Sequence, residues 1–153
     1  MIRVLILLST LTIIGCIPDL KELEPDVGDL MVESCGNSDH DPSVDVSFRT
    51  DLHDKLFVLP ANTCLHCHDP AAPYPIGYEY GGFDMSTYKG VMKGGVNSGA
   101  DMVVPGQPCD SFLYLKLTPY PPVGSRMPWT GPYWEESEMA TLTDWISEGA
   151  NDN

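Results

Sequence analysis

Two cysteines and two histidines stand together near the middle of the chain, in the run Cys64-Leu65-His66-Cys67-His68. Thiols three residues apart lie about one helical turn from each other, so both can add to the two vinyl groups of one porphyrin. The residue after the second thiol is then placed under the ring centre, where an imidazole can ligate iron. The spacing therefore predicts one covalently attached haem, held by Cys64 and Cys67, with His68 as an axial ligand.

Two other kinds of chemistry use a similar pair of thiols. A structural zinc site needs a second ligand pair, whereas Cys35, Cys109, His40 and His53 are scattered singly. A redox dithiol of thioredoxin type should follow a strand, and the preceding Leu59-Pro60-Ala61-Asn62 contains no alternating β-branched run. Haem attachment is the favoured interpretation, with zinc and dithiol chemistry as the alternatives.

The size and charge of the chain restrict its function. Its 153 residues suffice for one small domain with extensions, and a bound haem would add apolar volume to a marginal core. Asp and Glu total 22 against 8 Lys and Arg, a formal net charge of −14. Nucleic acid is not an expected partner, because nothing here neutralises phosphates. An acidic surface suits solubility or docking to a basic partner.

Residues 1–15 have the pattern of an export signal. Arg3 precedes an apolar run, residues 4–14, of about eleven residues, which is too short for a membrane-spanning helix. The run ends Ile13-Ile14-Gly15-Cys16, which resembles the bacterial lipobox. That resemblance implies that Cys16 receives diacylglycerol and becomes the first residue of the mature protein. The alternative is an ordinary cleaved signal followed by an unmodified cysteine.

Residues 16–45 are expected to form an extended acidic tether, anchored to lipid at Cys16. A stretch of low hydrophobicity and like charge cannot bury enough surface to fold alone. Lys21 stands against nine acidic residues: Asp19, Glu22, Glu24, Asp26, Asp29, Glu33, Asp39, Asp41 and Asp45.

Two cysteines remain when Cys16 and the haem pair are set aside. They are Cys35 and Cys109, an even number in an oxidising compartment. We therefore predict a disulfide between them, which would pin the end of the tether to the domain. Two separate thiols are the alternative.

Residues 46–150 show short apolar stripes at helical spacing and no convincing strand. Phe48, Leu52 and Leu56 predict a helix over 46–59, and Met139, Leu142, Trp145 and Ile146 line one that runs from Glu135 to Glu148. Shorter helices are expected after Asp84 or Ser86 as cap, and after Asp110 or Ser111. The fold class is thus all-α: three to four or five short helices around one haem, with an N-terminal tether.

Two loops are expected beside the haem. Residues 69–82 are rich in Pro and Tyr, and a backbone carbonyl there is expected to accept a hydrogen bond from the non-ligating nitrogen of His68. Residues 118–132 hold five prolines, which predict a stiff loop and not a strand.

Six motifs follow one another in order along residues 46–150. They are Cys64 to His68, Gly81-Gly82-Phe83-Asp84-Met85-Ser86-Thr87-Tyr88, Val103-Val104-Pro105-Gly106-Gln107-Pro108, Ser111-Phe112-Leu113-Tyr114, Arg126-Met127-Pro128 and Asp144-Trp145-Ile146-Ser147-Glu148-Gly149-Ala150. Together they resemble a class I-like cytochrome c domain, of the kind found in exported proteins of myxobacteria and planctomycetes. The resemblance covers about two thirds of the chain and implies one covalently bound haem c.

The resemblance also implies the second axial ligand. In this family it is the methionine of a Met-Pro pair before the last helix, here Met127. A physical argument agrees with this assignment of Met127, because a stiff proline-rich loop positions a thioether without a large loss of entropy. Met102 is the rival, because Met85, Met92 and Met139 are better explained as helix or core residues.

Two residues depart from the family pattern. Glu135 stands where Ser or Thr usually caps the last helix, which questions only the strength of that cap. Cys109 occupies a loop position usually filled by a polar residue, which favours a disulfide peculiar to a subgroup.

Ligation by His68 and Met127 would fill both axial positions, as suits outer-sphere electron transfer. The chain is expected to be a lipid-anchored electron carrier of the bacterial cell envelope, facing the periplasm or the cell surface. Ile17, instead of Asp, favours the outer membrane over the inner. Expected partners are redox proteins of the envelope and, through the lipid, the membrane.

Other functions follow if the haem plays another part. One alternative is a small-ligand sensing module in which Met127 is displaced. Another is a surface interaction protein whose haem is mainly structural. Catalysis such as peroxidase activity is not expected, because both axial positions are filled and the sequence offers no candidate distal base.

Overall fold

The computed structural model describes residues 35–38, 44–58 and 64–153. The predicted signal peptide, residues 1–15, the predicted lipidation site Cys16, and the predicted tether apart from residues 35–38, 44 and 45 lie outside the described residues. Within the described ranges the chain forms helices and no strands, which confirms the all-α class. In the same ranges, no helix has the length and apolar character needed to cross a membrane.

Short helices follow one another along the chain. The α-helices are α1 (Cys64–His68), α2 (Ile76–Gly81), α3 (Tyr88–Lys93), α4 (Phe112–Leu117) and α5 (Glu136–Ser147). A π-helix over Phe48–Phe57 precedes α1, and two 3₁₀ turns, Gly99–Met102 and Pro108–Asp110, lie between α3 and α4.

The first of these helices has the wide turn of a π-helix. The N–H of Leu52 donates to the carbonyl of Ser47, five residues back, at 3.3 Å. Its buried residues are consequently four and five positions apart: Phe48, Leu52 and Phe57. Leu56, the last residue of the predicted stripe, does pack against the core but is only half-buried, and Phe57 is the fully buried residue of the last turn.

The core lies where the π-helix and α5 meet. Trp145 of α5 is fully buried, and its ring centroid lies 5.5 Å from that of Phe48. Tyr88 packs edge-on against the same Phe48, at 5.3 Å between centroids. Such tilted and edge-on pairs are favourable beyond their buried area. Aromatic packing therefore joins the π-helix to α5, and Tyr88 at the start of α3 contacts both.

Residues 35–38 are fastened to the domain at two points. The structure forms the predicted disulfide between Cys35 and Cys109, with their Cα atoms 5.3 Å apart. The backbone N–H and the hydroxyl of Ser38 donate to the two carboxylate oxygens of Asp144, at 2.6 and 2.7 Å. Asp144 is buried on α5, so these two bonds satisfy a carboxylate that would otherwise be costly to bury.

The helix α2 lies inside the stretch predicted as a loop. It begins after Pro75 and ends at Gly81, and its C-cap residue Gly82 has a left-handed φ of +61°. Proline is tolerated next to a helix start, and glycine adopts the left-handed region without a side-chain clash. The loop prediction was therefore wrong for Ile76–Gly81, because the Pro and Tyr content of the stretch concealed both boundaries.

The caps of α3 and α5 refine the prediction. Thr87, and neither Asp84 nor Ser86, caps α3, and its hydroxyl accepts from the N–H of Gly90 at 3.0 Å. Glu135 caps α5 in a capping box with Glu138: each side chain accepts from the backbone of the other residue. The carboxylate at position 135 thus does the work of the Ser or Thr that is usual there.

Candidate haem site

The residues of the attachment motif lie on one short helix. Cys64 and Cys67 are three residues apart on α1, about one turn, as two vinyl groups of one porphyrin require. Both cysteines are free of disulfides, and each residue as a whole is half-buried. The structure therefore offers two unpaired sulfur atoms on one element, with His68 as the next residue.

The surroundings of this helix do not favour the alternatives of zinc or redox dithiol. Burial raises the pKa of the Cys64 thiol to about 12, which disfavours the free thiolate that dithiol exchange needs. In the described ranges, no group of three or more His, Cys, Asp or Glu residues is arranged to hold a metal ion.

His68 is oriented through one of its two ring nitrogens. Nδ1 lies 3.2 Å from the carbonyl oxygen of Phe83. Since a carbonyl only accepts, Nδ1 carries the proton and Nε2 keeps the lone pair that a metal needs. The acceptor lies one residue beyond the predicted stretch 69–82. The carbonyl of His68 in turn accepts from the N–H of Met85 at 2.8 Å, so one segment holds both ring and backbone.

The ring of His68 is enclosed by α2 and by Phe83. A Cβ at Gly77 would stand only 2.6 Å from Cε1 of the imidazole, and the ring of Phe83 packs edge-on at 5.4 Å between centroids. Burial lowers the pKa of His68, the hydrogen bond to Phe83 opposes this shift, and the charge of Lys116 adds to it. The net shift favours neutral imidazole, the form that binds iron.

Met127 lies on a loop that is bound to α4. Its N–H donates to the carbonyl of Lys116 at 2.8 Å. The amine of Lys116 donates back to the carbonyls of Val123 and Ser125, at 2.6 and 2.5 Å. Lys116 therefore closes the loop from both its backbone and its side chain, and burial lowers the pKa of its amine.

Arg126 adds a second attachment for the same loop. Its Nε donates to the carbonyl of Leu117 at 2.7 Å, and its guanidinium lies 3.9 Å from the ring centroid of Tyr133. Met127 between these contacts is half-buried against the core, whereas Met102, the rival ligand, is a core residue only 5% exposed.

The residues present fit a covalently bound haem. Two free thiols and a neutral imidazole with Nε2 available lie on α1, and a thioether lies on a loop fixed to α4. Lys116 connects the two parts, because it holds the Met127 loop and its charge reaches His68. Cys16 lies outside the described residues.

Sequence analysis did not predict the roles of four groups in this arrangement: Gly77, the carbonyl of Phe83, Lys116 and Arg126. Three of them act through contacts with main-chain atoms, which carry no sequence signal. A single cation in the apolar run Phe112–Leu117 was the one available hint to Lys116.

A family model described as Planctomycete cytochrome C matches residues 64–128. The match begins at the first motif cysteine and ends one residue after Met127. The chain contains a cytochrome c-like domain. The haem c that such a domain holds covalently is thus its cofactor, as predicted, and haem-based electron transfer is the function that the family indicates. No curated protein and no solved structure matches the chain.

The family match includes both parts of the candidate haem site, the helix α1 with His68 and the loop that carries Met127. The matched residues contain α1 to α4, the carbonyl of Phe83 and the loop as far as Pro128. The disulfide partner Cys35 and the helix α5 lie beyond the match and close the domain from outside it.

Proposed function

We propose that this protein is a lipid-anchored, monohaem electron carrier of the bacterial cell envelope. In this proposal Cys64 and Cys67 hold haem c, and His68 and Met127 ligate its iron. The bound haem supplies a centre that gains and loses one electron. The observation that carries the proposal is the hydrogen bond from His68 Nδ1 to Phe83, which leaves Nε2 free on the helix that presents both thiols.

The chain's own residues prepare both axial positions. The carbonyl of Phe83 fixes the tautomer and direction of His68, and Lys116 and Arg126 hold the Met127 loop through backbone carbonyls. Ligands that are already oriented change little in geometry when the charge of the centre changes. Small rearrangement is what fast outer-sphere electron transfer requires, and two filled axial positions do not favour catalysis.

The anchor and the location rest on residues 1–17. The apolar run and the lipobox-like Cys16 favour export and lipidation, which would confine the carrier to a membrane surface. Ile17 favours the outer membrane. The formal net charge of −14 favours envelope redox partners with basic docking surfaces.

The first test is spectroscopic. We expect a pyridine haemochrome of the purified protein to show a c-type α-band with one haem per chain. We also expect the oxidised protein to show the long-wavelength methionine–iron charge-transfer band. Cys64→Ser with Cys67→Ser should abolish covalent attachment, while His66→Gln, at the exposed position between the cysteines, should leave it intact. A wild-type protein without covalent haem would refute the proposal.

The second test concerns the anchor. In a bacterium that processes lipoproteins, we expect the wild-type protein in the membrane fraction and Cys16→Ser in the soluble envelope fraction. Equal distribution of the two proteins would refute lipidation without affecting the assignment of the haem ligands. Reversible voltammetry of the soluble variant then measures electron transfer itself.

A further inference from the structure

We propose that Gly77 is a positioning residue for His68. Because position 77 has no side chain, the backbone of α2 lies directly against the imidazole and sets its rotation about the bond to iron. The inference rests on the proposed function, in which His68 is an axial ligand of haem iron.

The geometry at position 77 is that of a stacked contact. A Cβ there would stand 2.6 Å from Cε1, 2.8 Å from Nε2 and 2.9 Å from Nδ1 of His68. An approach along the ring plane would leave the two nitrogens much farther away than the carbon between them. Nearly equal distances therefore place position 77 over the face of the ring, beside Cε1.

Rotation of the ring is thus opposed in two ways. Turning the imidazole drives one face into the α2 backbone at Gly77. The same rotation strains the hydrogen bond from Nδ1 to the Phe83 carbonyl, now 3.2 Å long. Groups that orient a metal-bound histidine tune the metal as well as hold the ligand, so the ring angle at His68 should affect the iron's electronic state.

The local backbone gives no other reason for a glycine at position 77. Its φ lies outside the left-handed region, and it is the second residue of α2, where alanine is the better helix former. Close approach to His68 is therefore the remaining reason for a glycine at position 77. Gly81 at the end of α2 is the matched control, because its φ is likewise unexceptional and a Cβ there meets nothing within 4 Å.

The experiment compares Gly77→Ala with Gly81→Ala in the full-length protein with haem attached. We measure covalent haem per chain, the midpoint potential and the g values of the ferric protein in electron paramagnetic resonance, which respond to the angle of the axial imidazole. We expect Gly77→Ala to shift both the potential and the g values, and Gly81→Ala to match the wild type in all three measurements.

Each outcome decides the inference. Loss of holoprotein in Gly77→Ala alone would support it, because both substitutions add the same methyl group to one helix and only one methyl meets the ring. Identical potentials and g values for Gly77→Ala and wild type would overturn it. So would equal shifts in both variants. A wild-type protein without haem would instead refute the proposed function, so the two failures are distinguishable.

Discussion

The two proposed iron ligands are held by different kinds of contact. His68 is enclosed by close packing, with Gly77 against its face, Phe83 at its edge and one carbonyl on Nδ1. Met127 is only half-buried against the core, and its loop is held mainly by hydrogen bonds: its own N–H donates to the carbonyl of Lys116, and the side chains of Lys116 and Arg126 donate to other carbonyls. A close-packed ring can be displaced only if its neighbours move as well, whereas a single hydrogen bond contributes about 1 kcal/mol net and can break alone. Met127 should therefore be displaced more easily than His68.

The largest test of this difference removes each ligand in turn. We expect His68→Ala to reduce covalent haem per chain severely, because the ring is part of the packed site. Met127→Leu should retain the haem but lose the charge-transfer band and lower the midpoint potential, since a thioether favours ferrous iron. Absorption spectra and redox titration measure both. Met102→Leu is the control, as a volume-conserving change in the core, and loss of the band there instead would contradict ligation by Met127.

Removing the disulfide should lower overall stability while leaving both ligands in place. The bridge closes a sequence separation of 74 residues that contains His68 but not Met127. We expect Cys35→Ser with Cys109→Ser to lower the free energy of unfolding by about 2–4 kcal/mol, mainly by freeing the unfolded chain. Denaturant unfolding measures this. The charge-transfer band at room temperature should persist, and its loss would show that the bridge also positions Met127.

Breaking the Lys116 attachment should loosen the Met127 side selectively. Lys116→Met removes the bonds to Val123 and Ser125, and we expect a loss of about 1–3 kcal/mol in unfolding free energy. Carbon monoxide should then bind ferrous haem more readily, because Met127 is displaced at lower cost. Lys93→Met, at an exposed position, is the control. Equal carbon monoxide affinity in all three proteins would contradict the role of Lys116, and tight binding to the wild type would favour the sensing alternative.

The smallest effect is expected far from both ligands. The side chain of Lys55 and the N–H of Ser47 hydrogen-bond to Asp51, and they lower its pKa. This stabilisation is present above the ordinary pKa of 3.8 and is lost as pH falls through the lowered value. Asp51→Asn should cost about 0.5 kcal/mol at neutral pH and nothing at strongly acidic pH, by denaturant unfolding at several pH values. A shift in midpoint potential would show that this helix end does affect the haem site.

Parts of the molecule that depend on local spacing were predictable. The motif on α1 needs only five consecutive residues, and α5 combines apolar spacing with acids in its first turn, so its predicted ends lie one residue from the observed ones. The pairing of Cys35 with Cys109 followed from counting cysteines. Each of these features is encoded in side chains.

The remainder depends on contacts that side-chain patterns do not encode. Phe48, Leu52, Leu56 and Phe57 are compatible with either of two helical pitches, and packing of the core selects the wider one. The Lys116 and Arg126 attachments end on carbonyls, which every residue possesses. Gly77 has no side chain at all, and its importance shows only when His68 is placed beside it.

The disulfide also sets how far the domain can travel. With lipid on Cys16, as we propose, eighteen residues lie between the anchor and Cys35, which the disulfide bonds to the domain. That length of chain extends to at most about 65 Å, against about 100 Å if the tether ran to residue 45. The disulfide and the neighbouring Ser38–Asp144 hydrogen bonds therefore limit the radius within which this carrier can meet a partner, and loss of both attachments would enlarge the area of membrane that it can reach.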